Sequence, residues 1–66
     1  MRLKLNDKVA FRHVARGSKT QIGTIVEIVK QGEDKTFVVK SIKNGRLYPS
    51  LSPEDRYIGQ ILKKIS

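Results

Sequence analysis

No cysteine occurs among the 66 residues of this chain, so neither a disulfide nor a thiolate zinc site supplements the small core that such a length can build. Packing alone must hold the fold. The length allows one domain, 1–66, around one core. Hydrophobic residues make up 38% and charged residues 30% of the chain, which is the balance of an ordered globular domain and not of a solvated disordered segment.

The apolar residues fall in short runs separated by turn residues, which predicts an all-β fold. Lys8 to Val14 sets Val9, Phe11 and His13 on one face and Lys8, Ala10 and Arg12 on the other, the period of two of a half-buried strand. Ala15 to Gln21 is polar and suits an exposed loop. Ile22 to Lys30 is β-branched on both faces, as in a long central strand that bends around a small barrel, with Gly23 at the bend.

Gln31 to Lys35 is a turn by composition, and Thr36 to Ile42 is a further β-branched run. Asn44-Gly45 tolerates the positive φ that a two-residue type I′ hairpin demands. Thr36–Ile42 is therefore expected to pair with Arg46–Leu51, with Ile42 facing Leu47. Ser52 at an N-cap, Pro53 at a first helical position and the acids Glu54 and Asp55 predict a short helical turn near residues 53–56. Ile58 to Ile65 echoes Ile22 to Val29 and predicts a last strand. The spacing of Tyr57, Ile58, Ile61, Leu62 and Ile65 also fits a helix, in which Gly59 would cost about 1 kcal/mol relative to alanine.

Five short strands in this order, with a polar loop after the first, suggest a small SH3-like barrel. Asp7-Lys8-Val9-Ala10-Phe11, a basic polar loop, and then Gly23-Thr24-Ile25-Val26-Glu27-Ile28 resemble the KOW pattern of ribosomal proteins and NusG-type elongation factors. The likeness covers about residues 6–29 and is shared by Tudor-like barrels. It implies a barrel fold and a loop that touches nucleic acid or a neighbouring protein. KOW segments carry glycine around that loop, whereas here Gly17 is followed by Ser18-Lys19-Thr20-Gln21.

Catalysis is not suggested. His13 is the single histidine, with no nucleophile or second acid–base group identifiable beside it, and its alternation with Val9 and Phe11 makes it a half-buried strand position. One histidine, no cysteine and scattered acids make no metal pattern, so no cofactor or metal is expected. The five glycines stand apart, without the spacing of a phosphate-binding loop. Glu54-Asp55 suits a helix start better than a carboxylate pair for acid–base work. No run approaches a bilayer span and the amino terminus lacks an apolar signal region, so a cytoplasmic, non-membrane protein is the expectation.

Charge is the functional signal. Lysine and arginine outnumber aspartate and glutamate by 14 to 6, giving a net charge of +8. Polyanions are the natural partners of such a domain. Arg12, Arg16 and Lys19 lie in or beside the first loop, and Lys40, Lys43 and Arg46 lie around Asn44-Gly45. In an SH3-like barrel these two groups flank one face. Tyr48 among them either stacks on a base or fills the barrel edge. The first expectation is a nucleic-acid-binding domain, for DNA or RNA, that grips phosphates with little base readout. The alternative is a protein-interaction module, adaptor or inhibitor, docking an acidic partner. Either is compatible with a monomer or an edge-strand dimer.

Overall fold

The computed structural model describes residues 2–66. It is all-β, with strands β1 (Lys8–His13), β2 (Thr20–Gln31), β3 (Asp34–Ser41), β4 (Leu47–Leu51) and β5 (Gly59–Lys64) in a single antiparallel sheet of order β4-β3-β2-β1-β5. Among the described residues, helix is confined to one 3₁₀ turn, Val14–Arg16. The sheet is open, with β4 and β5 at its edges. Just beyond β4, Ser52 N donates to Gly59 O at 3.3 Å and Ile61 N donates to Ser52 O at 3.0 Å, so the chain after one edge runs beside the other.

Alternation decides which side chains enter the core. Val9 and Phe11 of β1, Ile25 of β2, Phe37 and Val39 of β3, Tyr48 and Leu51 of β4 and Ile61 of β5 are all buried in one cluster. Each fully buried large side chain contributes about 1.5–3 kcal/mol, which is how the chain is held without a covalent staple. Register shifts at Ala10/Phe11, Ile25/Glu27 and Phe37/Val39 mark β-bulges. Such insertions bend a strand and raise its twist, curling the sheet around the cluster.

Several local expectations are corrected. The β2 bend belongs to the bulge at Ile25/Glu27 and not to Gly23, whose role is close approach. A Cβ there would come within 2.8 Å of the Phe11 ring and 2.7 Å of the Lys40 carbonyl oxygen. β2 runs two residues earlier and one later than expected, because Thr20 and Gln21 pair with Arg12 and Phe11. The expected turn at Gln31–Lys35 narrows to two residues. Gln31 pairs with Asp34 and Gly32 takes φ 63°, at the position where a type II′ turn calls for glycine.

Asn44-Gly45 does not form a two-residue hairpin. Ser41 N donates to Arg46 O at 2.9 Å, and Gly45 N donates back to Ser41 O at 2.9 Å, which closes a four-residue loop, Ile42 to Gly45. Only Gly45 has positive φ, at 70°. Asn44 instead uses its side-chain oxygen to accept from Arg46 N at 2.8 Å, a local bond that competes with the type I′ geometry. The longer loop moves the register, so Leu47 faces Lys40 and not Ile42.

The helical turn near residues 53–56 is absent although its capping bonds form. Ser52 Oγ accepts from Glu54 N at 3.2 Å and from Asp55 N at 3.1 Å. Asp55 Oδ1 then accepts from Tyr57 N at 2.7 Å and Ile58 N at 3.2 Å. The first cap holds amides that a helix leaves free in its first turn, but the second takes the Tyr57 and Ile58 amides that a continuing helix would have bonded to its own carbonyls. The segment after them is a strand and not the helix that its spacing also fitted, and its first residue, Gly59, lies close against the buried Leu51 side chain.

Candidate nucleic-acid interface

Two connections meet at one end of the sheet. After β1, His13 Nδ1 accepts from Ala15 N at 3.1 Å, and Gly17 N donates to Val14 O at 3.0 Å. Gly17 and Ser18 then both take positive φ, 65° and 61°, and turn the chain into β2. The β3–β4 loop lies alongside because Ile42 N donates to Ile22 O at 3.0 Å. Between the two connections is a cleft of about 430 Å³. Arg16 and Lys19 of the first loop and Lys43 of the second line it, together with Gln21, Ile22 and Ser41.

The cations expected to act together are thus divided. Arg16, Lys19 and Lys43 share the cleft and are exposed. Arg46, also exposed, joins Arg16 in lowering the pKa of Tyr48 electrostatically. Lys40 is exposed on the opposite parity of β3 from Ser41, and Gly45 lies beside its aliphatic stem. Arg12 is set apart: its Nη2 donates to Gln60 Oε1 at 2.7 Å, and it borders a shallow groove with Arg56 and Tyr57. Tyr57 is 90% exposed.

Tyr48 fills the edge of the core. Its ring is 2% exposed and packs against Phe11 at 5.3 Å and His13 at 5.2 Å between centroids. A ring enclosed in this way offers no free face, so of the two roles expected for Tyr48 it takes the one that fills an edge and not the one that stacks on a base. Its hydroxyl points toward polar company. Burial raises the phenol pKa, but the side chains of Gln21 and Asn44 and the charges of Arg16 and Arg46 lower it further, leaving it below the ordinary tyrosine value.

Two residues of the cleft escaped the sequence reading. Gln21 Nε2 and Ser41 Oγ, with Tyr48 Oη, are buried side-chain polar atoms without a hydrogen-bond partner among the described residues. Ser41 follows Phe37 and Val39 at the inward parity of β3 and is 2% exposed. A serine at a core position of an otherwise apolar alternation was the available signal. Among the described residues no group of three or more histidine, cysteine, aspartate or glutamate side chains is placed to hold a metal ion, and no helix is long and apolar enough to cross a membrane. Comparison with protein-family models, curated proteins and solved structures finds no match to this chain.

Proposed function

We propose that this chain is a non-catalytic nucleic-acid-binding domain of SH3-like, KOW-related architecture that grips the phosphate backbone. The carrying observation is the meeting of Arg16 and Lys19 from one connection with Lys43 from another around a single cleft. Like charges gathered there repel one another and raise the local potential, an arrangement that a phosphate backbone relieves. The net charge of +8 extends the attraction over the surface. The edge-to-edge bonds through Ser52 support the barrel-like architecture.

Contacts through Arg16, Lys19, Lys43 and Arg46 with about four phosphates give a slope near −3.6 for log affinity against log salt on duplex DNA. Fluorescence anisotropy across a salt series measures it. Replacing Arg16, Lys19 and Lys43 with alanine is expected to make the slope shallower by about 2.7 while the circular dichroism spectrum is retained. An unchanged slope in the folded triple variant removes the cleft from the interface. No binding to DNA or RNA at low salt removes the function.

A further inference from the structure

The phosphate-gripping function leaves part of the cleft unused. A sugar–phosphate backbone needs cations and amide donors, yet Ile22 and Ile42, 40% and 56% exposed, form an apolar wall beside Lys43. Gln21 and Ser41 line the same cleft, and Gln21 Nε2 and Ser41 Oγ are buried there without a partner among the described residues. Leaving such groups unpaired is costly, so two side by side are an unusual feature of so small a core. They are also chemically mixed: an amide donor and a hydroxyl that both donates and accepts.

We propose that the cleft receives one unpaired nucleobase, laid against Ile22 and Ile42 with its hydrogen-bonding edge toward Gln21 and Ser41, while Arg16, Lys19 and Lys43 hold the flanking phosphates. The ligand is therefore single-stranded nucleic acid, because a base inside a duplex turns its edge to its partner and its faces to its neighbours. A phosphate alone makes no use of the apolar wall. The cleft volume of about 430 Å³ is within the range of small-ligand sites.

The inference rests on the nucleic-acid function, and one set of titrations separates the two. Wild-type protein is titrated at one salt concentration with a short oligothymidylate, with the same strand lacking every base, and with a duplex of equal length. The base-bearing strand is expected to bind about tenfold more tightly than the abasic strand of equal charge. Ser41→Ala and Gln21→Ala, checked for folding by circular dichroism, are each expected to reduce that ratio about fivefold. Equal affinity for the base-bearing and abasic strands, or a preference for the duplex, overturns the base site and leaves phosphate binding standing. No affinity for any of the three overturns both.

Discussion

Tyr48 and Ser41 differ from the rest of the core in burying a hydroxyl without a partner. Removing an unpaired buried hydroxyl forfeits no hydrogen bond and ends a desolvation cost. Tyr48→Phe is therefore expected to change the unfolding free energy by less than about 1 kcal/mol, or to raise it, whereas Phe11→Ala in the same aromatic contact should cost about 3–5 kcal/mol. Urea denaturation with matched m-values compares them. Asp55 carries a residue-scale prediction of opposite character. Bonds from the Tyr57 and Ile58 amides favour its carboxylate and hold its pKa below 3.8. A depressed folded-state pKa stabilises the fold above the unfolded value and ceases to do so as pH falls through the folded one. Asp55→Asn should thus lower the melting temperature at pH 7 and make no such difference well below pH 3. Thermal melts at the two pH values check the sign.

At the scale of the element, the resemblance between Ile22-Gly23 and Ile58-Gly59 acquires a physical meaning. Both glycines start an inward-facing stretch, and both are pressed by buried side chains, Phe11 and Val39 at Gly23 and Leu51 at Gly59. A methyl group at Gly23 also meets the Lys40 carbonyl oxygen, which the β2–β3 ladder holds in place. Gly23→Ala is expected to destabilise by about 1–3 kcal/mol as an overpacked site, measured by the shift of the urea midpoint. The strands themselves were legible because their periodicity reflects burial. Turn types were not: Asn44-Gly45 and Gly32-Glu33 both have hairpin chemistry, and the register of the flanking strands decided which pair made the two-residue turn. Ser52 was legible as a cap and Asp55 only as an acid of a first turn, and capping bonds alone do not commit a segment to helix. Of the candidate site, the cations were visible as charge, while the meeting of Arg16 with Lys43 depends on a bond from Ile42 to Ile22 that no local pattern announces.

For the whole molecule, the two sheet edges bear on self-association. Pro49 gives β4 an interruption in its amide donors, and Ser50 beside it has φ 63°, away from extended geometry. The outer part of β5 carries Lys63 and Lys64, the latter paired with Asp7 at 3.4 Å. Proline and lysine at edges discourage strand addition by another copy. Sedimentation equilibrium is expected to return the 7.5 kDa of a single chain, and a mass of twice that would point to pairing through an edge. The position of β1 has a kinetic consequence as well. It lies between β2 and β5, and its bonds to β5 join residues such as Val9 and Lys64 at nearly opposite ends of the sequence. Closing so long a loop precedes any reward from the contacts it makes, which slows folding. On the ribosome, a chain synthesised through β4 would still present β1 with one side unpaired, and the sheet would be completed only after residues 59–64 had left the exit tunnel.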